Sequence, residues 1–190
     1  MDIERTDRRV RRTRAQLVSA LTTLLAQKQL KDISVSELTR LADVNRGTFY
    51  LHYRDTYDLF EHLEGELVDN FLKIIDRYRG RASASWRSVM LELFTFIEGN
   101  APAFRAVLGV KESMFLSHII ELVKPRSESE WRQLFGDAGA QEYEYCYAFI
   151  TSGCVALIGS WFRSGRRDSA QQMAALAERL MSACTREVSP

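Results

Sequence analysis

Only three prolines and three cysteines occur among the 190 residues. Scarce proline means few forced interruptions of helix. No stretch alternates apolar and polar residues as a half-buried strand must, so sheet architectures are excluded and an all-α chain is expected. Cys146, Cys154 and Cys184 are odd in number and lack metal-ligand spacing. Cys146 and Cys154 fall in one helical stretch about 12 Å apart by helix rise, too far for a disulfide. Free thiols fit a reducing cytosol. His52, His62 and His118 share no spacing that makes a metal site. No Gly-rich phosphate loop, nucleophile motif or Cys-His-carboxylate cluster appears, which argues against an enzyme, a metal or a cofactor. No signal segment is visible, and no run of 18 apolar residues is present, so a soluble cytoplasmic protein without a membrane role is expected.

Charge is scarce in total and uneven in distribution. The net charge is only +1. Residues 1–54 carry 11 Lys/Arg against 6 Asp/Glu, a net of +5, and residues 55–190 carry 15 against 19, a net of −4. A basic head on an acidic body is the footprint of a nucleic-acid-reading module joined to something else. Arginines crowd at positions 5, 8, 9, 11, 12 and 14. A charge run is usually a solvated face, but beside the motif below, phosphate contact by some of these, Arg12 among them, is expected.

Residues 33–53 hold two helix-start signals in tandem. Ser34 and Glu37 have capping-box spacing, and Ile33 and Leu38 stand around them as a hydrophobic staple. Eleven residues on, Asn45 is a good N-cap with Val44 and Phe49 at staple spacing. Two capped helices joined by Asp43, Val44 and Asn45 describe a helix-turn-helix, whose second helix enters the major groove of DNA. With Val44 and Phe49 facing the core, Asn45, Arg46, Thr48, Tyr50 and His52 face outward, all able to bond phosphates or base edges. Gly47, a poor helix former, marks a place where backbone must come close to something, such as a phosphate.

The rest also reads as helix. A first helix is expected over 7–27 and a fourth over 55–79, with Leu59, Leu63, Leu67, Phe71 and Ile74 on its stripe. A small-residue linker follows at 80–85. The body then holds a helix from Trp86 to about Gly99, a short one capped by Asn100, and one over 111–123 stopped by Pro125. Residues 126–140 read as a loop containing one helical turn, with Trp131, Leu134 and Phe135 inside it. Two strong helices close the chain, one over 141–164 ended by Gly165, and one opened by Asp168 with Gln171. The first of the pair is apolar almost all round and must be buried on several sides. A four-helix homodimer interface is therefore expected from Gly153, Leu157, Ser160, Trp161, Met173, Leu176 and Leu180, the alternative being a central helix of a monomer.

These motifs resemble the TetR family of transcriptional regulators. The resemblance is strongest over residues 8–60, in Arg11-Arg-Thr-Arg14, Ile33-Ser-Val-Ser-Glu-Leu38, Arg46-Gly-Thr-Phe-Tyr-Leu-His-Tyr53 and Asp58-Leu59. The Gly-Thr-Phe-Tyr string followed by His and an aromatic is its specific part. The body is similar only loosely, through Gly153, Trp161 and Gly165, to one C-terminal subtype of the family that includes a coactivator of dihydroxyacetone kinase genes. The resemblance implies an all-α homodimer. A three-helix helix-turn-helix DNA-binding domain (1–54) would precede a helical ligand-binding and dimerisation domain (55–190). It also implies DNA contact by Asn45, Arg46, Gly47, Thr48, Tyr50 and His52, with Thr13 and Ser34 near phosphates. Two departures stand out. The usual turn glycine is Asp43, which tolerates left-handed backbone better than most residues. The lysine often opening the fourth helix is Thr56, a lost phosphate contact for which Arg54 can compensate.

The expected partners are a palindromic double-stranded operator, a second copy and a small-molecule inducer of unknown identity. The expected function is a repressor released by that ligand. Phe94, Phe104, Met114, Phe115, His118, Cys146, Tyr147 and Ile150 are its candidate pocket, though each is more often plain core. The alternative is a DNA-bound coactivator whose body binds a protein.

Overall fold

The computed structural model describes residues 3–79, 85–110, 115–135 and 140–186. Among these residues there is no strand. Nine α-helices occur: α1 (Ile3–Leu25), α2 (Val35–Ala42), α3 (Arg46–Tyr50), α4 (Thr56–Tyr78), α5 (Trp86–Gly99), α6 (Ala101–Gly109), α7 (Phe115–Phe135), α8 (Ala140–Arg163) and α9 (Ala170–Arg186). A single 3-10 turn, Leu30–Asp32, joins α1 to α2. The chain divides into two compact units. Met1–Leu67 with Ala101–Ser113 form the first, and Val68–Asn100 with Met114–Pro190 the second. The division falls inside α4, whereas sequence placed the domain boundary at 54/55.

In the first unit, α1 packs on α2 and α6, and α2 on α3. Leu17, Leu21 and Leu24 recur at helical spacing on α1 and are buried, as are Leu38, Phe49, Leu59, Leu63 and Leu67 on the elements around it. Each such side chain contributes about 1.5–3 kcal/mol by leaving water. Arg14 reaches Glu66 at 2.7 Å and ties α1 to α4.

In the second unit, α5 packs on α9, and α8 on both α7 and α9. Trp161 anchors it. Its ring is 2 % exposed and meets Phe94 edge-on at 5.3 Å, and its indole N–H donates to the Asp168 carbonyl at 2.9 Å. The end of α8 is a Schellman turn: Arg166 N donates to Trp161 O and Gly165 N to Phe162 O, with Gly165 at φ +77°.

Four expectations change. Pro125 lies inside α7, which continues to Phe135 where a loop was expected. Proline lacks the N–H that would bond the Glu121 carbonyl, and at the next carbonyl the Arg126 guanidinium donates to Leu122 O at 2.8 Å. Asn100 serves the end of α5, its amide donating to Phe96 O, rather than the start of α6. The capping box of α9 is Ser169 with Gln172, reciprocally bonded, one residue past the Asp168–Gln171 pair. The stretch 141–163 is long and apolar enough to cross a membrane by length and composition, against the expectation that no such run exists. Serine, threonine, cysteine and glycine interrupt its apolar residues, but no charge falls between Glu144 and Arg163. Most of the linker at 80–85 lies outside the described residues. Ser85 is described, and its hydroxyl accepts from Ser88 N to start α5.

Candidate nucleic-acid interface

The helix-turn-helix forms at the positions its caps require. Ser34 Oγ accepts from Glu37 N at 3.2 Å. Glu37 does not complete a reciprocal box; its carboxylate takes Lys28 Nζ at 2.6 Å, pinning the segment before α2 to the helix. Asp43 occupies the left-handed region at φ +51°, ψ +45°, supplying the turn geometry in place of glycine. Asn45 Oδ1 then accepts from Gly47 N at 2.7 Å and starts α3. A Cβ on Gly47 would lie 3.2 Å from that same oxygen, so the cap itself favours glycine here.

Phe49 holds α3 to the unit. It is fully buried, with Tyr50 edge-on at 5.4 Å and Tyr53 tilted at 5.7 Å. Tyr53 stacks edge-on against His62 at 5.3 Å, and burial raises its phenol pKa while Arg14 opposes the shift. The outward positions follow from this anchor. Asn45, Arg46, Gly47, Tyr50 and His52 are exposed and Thr48 is half-buried. Ser34 and Arg12 are exposed and Thr13 is half-buried.

Arg54 is held rather than loose. Asp58 accepts from its backbone N at 2.8 Å and from Nη2 at 3.0 Å. The hydrogen bond from the Arg54 side chain, then that from its backbone, holds the Asp58 carboxyl below its ordinary pKa. Asp55 caps α4 by accepting from Asp58 N at 2.8 Å. Thr56, where a lysine is usual, is buried, and its hydroxyl donates to Ile33 O at 3.3 Å. The departure thus exchanges a charged surface group for an internal tie between α4 and the start of α2.

Other expected site residues separate. Phe104 belongs to the first unit, whereas Phe94, Phe115, His118, Cys146, Tyr147 and Ile150 belong to the second. Met114 lies outside the described residues. Phe94, Phe115, Tyr147 and Ile150 are buried, Cys146 is half-buried and His118 is exposed. Tyr147 donates its hydroxyl to Ile120 O at 3.3 Å, which fixes it between α7 and α8. Burial raises the pKa of Cys146 and takes that of Cys154 to about 11, so both are poor thiolates. Among the described residues no group of three His, Cys, Asp or Glu could hold a metal.

Of the expected interface residues, Gly153, Ser160 and Leu180 are exposed, and Leu157 and Leu176 half-buried. Trp161 and Met173 are core residues of their own unit, a correction to their placement in an interface: the Phe94 contact and the Asp168 hydrogen bond already engage Trp161. Tyr145 and Phe149, outside the expected interface set, are each 69 % exposed. They continue through Ser152, Ala156 and Ser160 as an exposed stripe at helical spacing on α8. That spacing was the available signal.

The body decides the family. A family model described as a transcriptional regulator C-terminal region, TetR_C_8, matches residues 84–183. The chain belongs to the TetR family of transcriptional regulators. Over 56 residues it is 43% identical to an uncharacterized HTH-type transcriptional regulator, YxbF, of Bacillus subtilis (strain 168). That match covers 29% of this chain but only 15% of the relative's length. The fold is similar to that of the dihydroxyacetone kinase operon activator DhaS, with TM-score 0.62 and 16% identity over 94% of this chain and 98% of that one. A TetR transcriptional regulator from Streptococcus agalactiae is similar at TM-score 0.65 and 18% identity, with the same coverages. The N-terminal segment of this TetR-family chain is therefore a DNA-binding helix-turn-helix on an all-α scaffold.

Proposed function

We propose that this TetR-family chain is a cytoplasmic repressor that binds a palindromic operator as a homodimer and is released by a small molecule. The observation that carries the DNA half is the outward run from Asn45 to His52 on a helix capped by Asn45 and anchored by Phe49. Arg12, Thr13, Ser34 and Arg54 set register on phosphates, and Arg46 and Asn45 read base edges. The functional division is a DNA-reading part, 1–54, and a regulatory part, 55–190.

The dimer half rests on α8 and α9. Tyr145 and Phe149 carry large apolar surface into solvent in the single chain, and Leu180 is 51 % exposed. Gly153 and Ser160 lie on the same exposed side of α8, where the lack of bulk permits close approach by a second helix. Two copies placing Tyr145, Phe149, Leu157, Leu176 and Leu180 together would cover this surface, and two-fold symmetry then requires a two-fold operator. A ligand in the second unit would meet Phe94, Phe115, Tyr147 and Ile150, and would act by favouring one of two arrangements of the dimer.

Sedimentation tests the dimer. The full chain should run as a dimer at micromolar concentration, and Phe149→Asp should run as a monomer with weakened operator binding. A wild-type monomer would refute it. The same α8 stripe favours a second reading, a DNA-bound coactivator that covers this surface with another protein, and a wild-type monomer would shift weight to it.

A further inference from the structure

The side chain pointing most directly away from the core of α3 is not polar. At about 100° per residue, Gly47 and Leu51 lie nearly opposite the buried Phe49. Leu51 keeps helical backbone (φ −71°, ψ −19°), and its N–H donates to Gly47 O at 3.2 Å, which stacks the two on one face. Gly47 adds no side chain to that face. Leu51 is 80 % exposed, the highest value among the exposed large hydrophobic residues of the described chain. Tyr50 and His52, both exposed, flank it. The centre of the outward surface is thus a bare backbone followed by an isobutyl group, with hydrogen-bonding side chains on its borders.

We infer that Leu51 is a specificity residue that selects thymine by packing on its 5-methyl group in the major groove. The inference rests on α3 being the DNA-reading helix. Thymine is the one base that presents a methyl group in that groove, and cytosine at the same position leaves the leucine against water or a polar amino group. A scattered exposed leucine needs no explanation by itself. Here the leucine occupies the midpoint of a surface whose neighbours are suited to DNA, and its contact with a methyl removes apolar area from water on both partners.

The test starts with a duplex enriched from a random pool by the purified full chain. Each thymine is replaced singly by deoxyuridine, which removes only the methyl group, and binding is measured for wild type, Leu51→Ala and Leu51→Met. One thymine position, repeated by symmetry, should weaken wild-type binding about fourfold when demethylated. Leu51→Ala should be indifferent to that replacement, and Leu51→Met should retain the penalty. Because Leu51 is exposed, all three proteins should melt alike. A specific duplex whose uracil replacements are all neutral, or a penalty that persists in Leu51→Ala, overturns the role of Leu51 and leaves DNA reading intact. A pool that enriches no sequence overturns both.

Discussion

Asn45→Asp separates what the start of α3 does for the fold from what it does for DNA. Asn45 Oδ1 accepts from Gly47 N at 2.7 Å, and an aspartate oxygen can do the same. Asn and Asp are equivalent caps, and a carboxylate at a helix start gains about 0.3–1 kcal/mol from the helix dipole. Asn45→Asp should therefore unfold in urea at the wild-type midpoint or slightly above it. Asn45→Ala loses the cap and should cost about 1 kcal/mol. On DNA Asn45→Asp is instead unfavourable. A new negative charge about 7 Å from a phosphate costs about 0.6–2.4 kcal/mol for effective dielectric constants between about 80 and 20. At about 1.4 kcal/mol per factor of ten, that is roughly 3- to 50-fold in affinity for each site. Fluorescence anisotropy on an enriched duplex at about 50 and 200 mM salt reads it, with the penalty largest at low salt. An Asn45→Asp protein that is stable and binds as tightly as wild type at low salt would show that this end of α3 does not approach DNA.

Three further outcomes follow from named contacts. Tyr50→Ala removes a half-exposed ring packed edge-on against Phe49 and should weaken operator binding while leaving far-ultraviolet circular dichroism unchanged. Asp58→Asn should be less stable than wild type at pH 7. The folded carboxyl lies below its ordinary value of 3.8, so its contribution is present above that value and disappears as pH falls through the folded pKa. Urea midpoints of the two proteins should therefore converge on acidification. Trp161→Phe loses the indole hydrogen bond to Asp168 O and part of a buried ring, and should lower stability by about 1–3 kcal/mol in urea titration.

Features set within four residues were legible in the sequence. Ser34, Asn45 and Gly165 each end or begin a helix by bonding a near neighbour, and residue type with spacing identifies them. Asp43 was readable as a left-handed position through the family resemblance, which has glycine there, and because Asp tolerates that region better than most residues. Competition between equivalent local signals was not readable. Asp168–Gln171 and Ser169–Gln172 have the same spacing, and the second forms the box while Trp161 binds the Asp168 carbonyl. Pro125 read as a stop, yet the helix carries it, with Arg126 bonding the Leu122 carbonyl. Contacts between distant residues left no trace in any short window. Arg14 stood in an arginine cluster suited to phosphates, but it pairs with Glu66. Thr56 bonds Ile33, and Trp161 lies under Phe94 rather than on an outer face. For the candidate site, burial of Phe49 leaves Asn45, Arg46, Gly47, Tyr50 and His52 exposed and Thr48 half-buried, while the exposure of Leu51 is not legible from hydrogen-bonding residue type.

The most direct measurement is fluorescence anisotropy of the full chain on its enriched duplex and on a scrambled duplex of equal composition, across a salt series. A specific DNA-reading protein should prefer the enriched duplex at every salt concentration, with affinity falling steeply by about 0.9 logarithmic units per neutralised phosphate for each tenfold rise in salt. Equal, weak binding to both duplexes throughout would contradict the assignment of α3 as the element that reads sequence.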